Sequence, residues 1–169
     1  QSDPALLQRL NAQLMEEQFR DNPQAQLAWL ETQPNMQAQI QQTLNQLAFS
    51  APATAAAWLS SHDASSVPSE QVDIIMTNYL RRDEAAAATW LAGLPPGNLR
   101  DQALQAAATL WARKNEFAFA TDSVNSIAEP ARKTATQFAV FRTLSARDAA
   151  HAQQWATAQG LSAEIIANW

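Results

Sequence analysis

The chain has 169 residues and no cysteine, and its sixteen acidic and eleven basic side chains give a net charge of −5. Without cysteine there is no disulfide and no thiolate metal site, and the acidic balance argues against a nucleic-acid partner, because phosphate binding requires a clustered basic surface. Alanine, glutamine and leucine dominate while glycine occurs three times, so the composition predicts an all-α fold. We expect one helical domain over residues 1–169.

The predicted elements begin with an opening helix over residues 4–20. A recurring motif follows, in which a capping or linker residue is followed seven positions later by tryptophan. The four complete copies are Asn22 and Trp29, Ala51 and Trp58, Asp83 and Trp90, and Asp148 and Trp155. A fifth copy starts at Asn115, so the repeat units start near residues 22, 51, 83, 115 and 148, and separations of 29 to 33 residues are typical of two-helix units.

The fifth copy departs from this motif. Seven positions beyond Asn115 the chain has Asp122 instead of tryptophan, and we expect Phe117 and Phe119 on the same short helix to fill the missing volume. In the complete copies the tryptophan recurs at the same place in every unit. This recurrence indicates packing between units rather than a platform for a ligand.

Each repeat start is predicted to begin a short helix of about ten residues. The side chains of Asn22, Asp83, Asn115 and Asp148 can accept hydrogen bonds from the unpaired amides of a first helical turn. Helix-breaking residues then end the short helix and start the next helix. These are Pro34, Pro68, Pro95, Pro96, Gly97 and Pro130.

The second helix of each pair is longer and carries an apolar stripe. Its positions lie 4, 7, 8 and 11 residues before the next start, which is helical spacing. They are Tyr79, Met76, Ile75 and Val72 in the second unit, and Trp111, Ala108, Ala107 and Leu104 in the third. The first unit has Leu47, Leu44 and Ile40 with Thr43, and the fourth has Leu144, Phe141 and Val140 with Gln137. The stripe predicts the buried face of four long helices.

Together these elements predict a right-handed α-α superhelix of about 11 antiparallel helices in short and long pairs. The chain resembles the tetratricopeptide and related helical repeats. The resemblance rests on Trp90 in the first helix, on the small and large residues Ala103, Ala107 and Leu110 in the second, and on the helix boundaries at Asp83 and Asn115. It implies a curved stack that presents a groove for another protein.

Residues with catalytic or metal-binding chemistry are few and scattered. His62 and His151 lie 89 residues apart, and neither has a partner at ligand spacing, whereas a zinc site needs three or four ligands. Three glycines are too few for a phosphate-binding loop. We therefore expect no enzymatic activity, no cofactor and no bound metal.

Five basic residues form the clearest pattern with a functional meaning. Each lies one or two residues before a repeat start, so stacking should bring them onto one edge, here called the basic edge: Arg81, Arg82, Arg113, Lys114 and Arg147. One interpretation is a surface that holds an acidic partner. The other is that cations at the carboxyl ends of helices complement the helix dipole, which requires no partner.

The sequence thus predicts a non-enzymatic helical-repeat module that binds another protein or peptide, or acts as a scaffold. The alternative is a helical accessory domain of a larger envelope enzyme or of a secretion or assembly machine. Gln1 in place of an initiator methionine, together with the composition, favours a mature periplasmic or secreted bacterial protein, with the cytoplasm as the alternative. Apolar runs are too short for membrane insertion, since a span needs roughly 18 residues.

Overall fold

The computed structural model describes residues 14, 17–19, 22–62 and 67–167. These residues contain ten helices with defined bounds and no strand, which confirms the all-α class. The helices are α1 (Pro23–Glu31), α2 (Gln37–Ser50), α3 (Pro52–Ser61), α4 (Ser69–Arg82), α5 (Glu84–Gly93), α6 (Asn98–Lys114), α7 (Phe117–Ser126), α8 (Pro130–Ser145), α9 (Ala149–Ala158) and α10 (Ala163–Ala167). Within the described ranges, no helix is long and apolar enough to cross a bilayer.

The predicted opening helix falls largely outside this description. Leu14 and residues 17–19 have helical backbone, and the rest of the predicted helix over residues 4–20 lies outside the described residues. Phe19 contacts the first repeat, because its ring lies 6.4 Å from the ring of Trp29 between centroids.

Three of the predicted helix caps are confirmed. In each case the side-chain oxygen Oδ1 accepts the backbone N–H of the residue three positions later, at 3.0 Å. The capping residues are Asn22, Asp83 and Asp148. These bonds satisfy amides that have no partner within the helix. The start at Ala51 has no side-chain cap, and Pro52 occupies the first helical position, where a missing N–H costs nothing.

The predicted cap at Asn115 is wrong. Asn115 has φ of 70° and ends α6 in the left-handed conformation, and Glu116 precedes the first residue of α7. Asparagine adopts this conformation more readily than most residues, which is why the same residue type can end a helix as well as begin one. The extra residue shifts the register, so the seventh residue of α7 is Ser123 rather than Asp122. Tryptophan is the seventh residue of α1, α3, α5 and α9.

The long helices bury the predicted stripe. All four stripe positions of α4 and of α6 are buried. In α2 and α8 the stripe is buried apart from Ile40 and Phe141, which are partly exposed. The polar member Thr43 is accommodated because its hydroxyl donates to the carbonyl oxygen of Gln39 at 2.9 Å, so no polar group is left unpaired.

Contacts between helices follow the order of the chain. Each long helix contacts the next one, so that α2, α4, α6 and α8 form a continuous series. The short helices α3, α5 and α7 each contact the long helix before and after them. The core runs through this series without a break, and its most fully buried large side chains include Leu44, Leu59, Ile75 and Val140. Neighbouring helices in the chain are therefore also neighbours in space, and a change in one short helix affects its contacts with the long helices on either side.

Candidate binding pocket

Three of the tryptophans each tie a short helix to the short helix before it. The indole nitrogen Nε1 of Trp90 donates to Oγ of Ser60, and that of Trp155 donates to Oγ1 of Thr121, both at 2.9 Å. Trp58 donates in the same way to the carboxylate of Glu31. These rings pack in or against the core, which confirms their interpretation as packing residues.

The junction between α5 and α7 lacks both the indole donor and its acceptor. Ser123 occupies the tryptophan position of α7 and is buried, at 8% exposure. Glu31 and Ser60, which accept indole bonds, are the ninth residues of α1 and α3, whereas the ninth residue of α5 is Ala92, whose side chain has no acceptor. A pocket of about 480 Å³ lies at this junction.

The floor and walls of the pocket are mainly apolar. They include Leu80, Leu91 and Leu104 from the core side, and the exposed alanines Ala85 and Ala88 from α5. These side chains offer a surface against which an apolar group can be buried.

Two aromatic rings lie side by side at the α7 side of the pocket. The ring of Phe119 lies 5.4 Å from the ring of Trp111 between centroids and is 54% exposed. Phe117 is directed elsewhere, since its ring contacts His151 at 5.0 Å. The prediction that Phe117 and Phe119 fill the missing tryptophan volume is therefore wrong, and Phe119 instead forms a wall of an open pocket.

The charged residues of the pocket include one unpaired cation and one unpaired anion. The Nε of Arg100 is buried and has no hydrogen-bond partner. Within the described part of the chain, neither the guanidinium of Arg100 nor the carboxylate of Asp122 forms a hydrogen bond or salt bridge, although both line the pocket. Glu84, in contrast, accepts from Nζ of Lys114 at 3.0 Å, and this ammonium lies 4.6 Å from the centroid of the Trp111 ring.

Two members of the basic edge bind the carboxyl ends of helices. Nη1 of Arg82 donates to the carbonyl oxygens of Phe49 and Ser50, at 3.3 and 2.9 Å, where α2 ends. Nη2 of Arg147 donates to the carbonyl oxygen of Arg113 at 2.9 Å, where α6 ends. Each arginine thus caps the carboxyl end of the preceding long helix, whereas the helix-dipole interpretation concerned the end of the arginine's own helix.

The remaining members of the basic edge are exposed. Lys114 forms the ion pair with Glu84 at the edge of the pocket, and Arg81 and Arg113 are exposed at the ends of α4 and α6. Burial raises the pKa of the Asp73 carboxyl on α4, and the positive charge of Arg113 partly opposes this shift. The structure therefore distributes the five cations among capping, ion pairing and exposed positions.

The histidines have local packing roles. His62 stacks on Trp58 with 4.1 Å between ring centroids, and its Nε2 lies 3.2 Å from Oε1 of Glu31. In the residues that the structure describes, no group of three His, Asp or Glu side chains could hold a metal ion.

Comparison with models of known protein families, with curated proteins and with solved structures finds no match for this chain. The pocket must therefore be interpreted from its own residues. The sequence marked the departure at Asp122 but not the contribution of Arg100. A cation in the first turn of a helix, where the helix dipole disfavours it, was the available signal for Arg100.

Proposed function

We propose that the protein is a non-enzymatic helical-repeat module of the bacterial cell envelope that binds another protein or peptide. Its helix pairs stack as a right-handed α-α superhelix similar to tetratricopeptide arrays, and the series of contacts between neighbouring helices supports this arrangement. The observation that carries the proposal is the open apolar pocket between α5 and α7, at the junction without a tryptophan.

The pocket supports binding because apolar groups exposed there would be stabilised by a partner. Phe119 is 54% exposed at the pocket wall, and Ala85 and Ala88 are exposed beside it. Concave apolar surfaces with a few polar groups are the usual form of binding sites. The guanidinium of Arg100, which has no partner among the described residues, lines the same pocket and can bind a negatively charged group of the partner.

The test is site-specific photo-cross-linking. A photoreactive amino acid at Ala88, inside the pocket, is compared with the same group at the exposed Gln153 of α9. We expect cell extract to give a cross-linked protein from Ala88 and not from Gln153. The captured protein is then identified by mass spectrometry, purified and titrated against the chain. Equal cross-linking from both positions, or a purified protein that does not bind, would contradict the proposal.

A second set of variants tests the basic edge. Arg81→Glu together with Arg113→Glu reverses two exposed charges without removing the side chains that cap α2 and α6. If the partner contacts this edge, we expect the double variant to weaken binding of the purified partner, and the weakening to decrease at high salt.

An accessory domain of a larger envelope enzyme or assembly machine is the second candidate. Large apolar side chains are exposed away from the pocket, with Phe49 of α2 at 67% and Ile165 of α10 at 41%. Covering such residues with a neighbouring domain would remove apolar surface from water. Cross-linking from Phe49 and Ile165 to one and the same protein, with none from Ala88, would favour this candidate.

A further inference from the structure

We propose that the pocket between α5 and α7 receives an aromatic side chain of the partner, tryptophan above all, and that Arg100 binds a carboxylate close to that side chain in the partner sequence. This inference rests on the proposed function and names the chemistry of its partner. The partner segment supplies from outside the ring that the other junctions obtain from the chain itself.

The other junctions show what this place in the fold accommodates. At three of them an indole lies against the preceding short helix and donates its N–H to a carboxylate or hydroxyl oxygen, as Trp58 does to Glu31 and Trp90 does to Ser60. The pocket has the same position between successive short helices, and its volume of about 480 Å³ is large enough for a ring and its attached groups. An aromatic ring buried there removes roughly 150–250 Å² from water.

The pocket walls favour an indole. Trp111 and Phe119 form an aromatic edge on which another ring can stack in an offset or tilted arrangement. The unpaired carboxylate of Asp122 can accept an indole N–H, which is the chemistry that Glu31 provides for Trp58. Phenylalanine lacks this donor, so we expect tryptophan to bind more tightly.

Arg100 accounts for the second part of the proposal. Its Nε is buried without a hydrogen bond, and leaving a buried donor unpaired is unfavourable. The neighbouring buried carboxylate of Asp101 is already occupied, because it accepts the amides of Ala128 and Glu129. A carboxylate supplied by the partner would satisfy the guanidinium of Arg100.

The open side of the pocket indicates a polypeptide rather than a free small molecule. Ala85, Ala88 and Phe119 are all exposed and line the same opening. A small ligand would leave these groups in water, whereas a chain segment that carries the inserted ring covers them.

Selection from a phage-displayed library of random peptides tests the proposal directly. We expect the full chain to enrich peptides that contain tryptophan, or less often phenylalanine, with aspartate or glutamate nearby. Ala88→Trp, which places a large side chain in the pocket opening, should abolish the enrichment. Thr89→Trp is the matched control, because Thr89 is exposed on the same helix and does not line the pocket. Circular dichroism establishes that both variants are folded.

The need for a carboxylate is measured with two versions of the most enriched peptide. One has the selected aspartate or glutamate, and in the other this residue is replaced by asparagine or glutamine. Arg100→Gln should weaken binding of the acidic peptide about 10- to 100-fold and leave binding of the amide peptide nearly unchanged. The same loss for both peptides would overturn the role of Arg100. Three outcomes would overturn the proposal that an aromatic side chain enters the pocket. They are absence of enrichment, enriched peptides without an aromatic residue, and equal enrichment by Ala88→Trp.

Failure of the aromatic-side-chain proposal can be distinguished from failure of the proposed binding function. A partner that cross-links from Ala88 and binds when purified, but through a segment without an aromatic residue, would retain the interaction module and overturn the inference. Absence of any cross-linked partner would count against the proposed function itself.

Discussion

Trp155 and Thr121 lie 34 residues apart in the chain, and the indole nitrogen of Trp155 donates to Oγ1 of Thr121 at 2.9 Å. Trp155 belongs to α9 and Thr121 to α7, so the bond joins the short helices of two successive units. The ring is buried at 7% exposure, which means that the indole N–H would be costly to leave unpaired. The tie therefore combines apolar burial with a polar bond that fixes how the two units meet.

Removing this bond should destabilise the last junction. We expect Trp155→Phe to lower the free energy of unfolding by about 1–3 kcal/mol, since the hydrogen bond and part of the ring contact are lost. A double-mutant cycle with Thr121→Val, measured by urea denaturation, should give a coupling of about 1 kcal/mol. Additive losses would show that the bond contributes nothing. Trp29→Phe is the control, because the Trp29 indole makes no hydrogen bond to a described residue.

Asp101 joins α6 to the start of α8. Its carboxylate is buried at 4% exposure and accepts the amides of Ala128 and Glu129, at 3.1 and 2.8 Å. We expect Asp101→Ala to lower the free energy of unfolding by about 2–3 kcal/mol, because two backbone amides lose a charged acceptor that lies in the core. Asp101→Asn should cost less, since one oxygen still accepts. Denaturant titration checks both values, and equal stability of Asp101→Ala and the parent would contradict the assignment.

The helical stripe and most helix starts could be predicted because they depend on local spacing. Val72, Ile75 and Met76 fall on one side of any helix that contains them, and the same side is buried in α4. The error at Asn115 has an equally local cause. Asparagine suits both the beginning of a helix and a left-handed end, and a single residue type cannot indicate which one the chain adopts.

The pocket could be predicted only in part. Counting along the repeat shows that α7 lacks its tryptophan, but the direction of Phe119 depends on how α7 packs against Trp111 of α6. The role of Arg100 is harder still to predict, because an arginine on a helix is usually solvated, and only the folded chain shows that its Nε is buried. The sequence shows that α7 lacks a tryptophan, whereas tertiary packing decides whether neighbouring side chains fill the place of its ring.

The left-handed conformation of Asn115 gives a direct test of the register of α7. With φ of 70°, Asn115→Ala should lower the free energy of unfolding by about 1–2 kcal/mol, because a Cβ without a compensating side chain is unfavourable there. Asn115→Gly should restore part of this loss, although it removes the acceptor that Nη1 of Arg147 contacts at 3.1 Å. Thermal unfolding of the three proteins measures the order, and Gly less stable than Ala would be inconsistent with this backbone conformation.

The capping role of the basic edge predicts unequal effects of neighbouring arginines. Arg82→Ala should lower the free energy of unfolding by about 1 kcal/mol, because two carbonyl oxygens at the end of α2 lose their donor. Arg81→Ala is the control and should change it by less than about 0.5 kcal/mol, since Arg81 is exposed and forms no hydrogen bond or ion pair with a described residue. Equal losses in the two variants would contradict the capping role.

The raised pKa of Asp73 predicts that stability depends on pH. Burial raises the pKa of this carboxyl above its ordinary value of 3.8 in the folded chain, so the unfolded chain ionises first as the pH rises. The folded state then binds more protons, and stability decreases as the pH rises from 3.8 through the folded pKa. We expect Asp73→Asn to raise the melting temperature at neutral pH and to have no effect at strongly acidic pH.

Arg113 provides the companion variant for Asp73. Its positive charge lowers the pKa of Asp73 and opposes the effect of burial, so Arg113→Gln should raise that pKa further and enlarge the loss of stability at neutral pH. In the Asp73→Asn background, the same arginine change should have a smaller effect, because the carboxylate is gone. Both effects should stay below about 0.5 kcal/mol, since Asp73 keeps contact with solvent. Melting curves across the acidic range measure both effects. A gain in stability of the parent with rising pH that disappears in Asp73→Asn would contradict a raised pKa of Asp73.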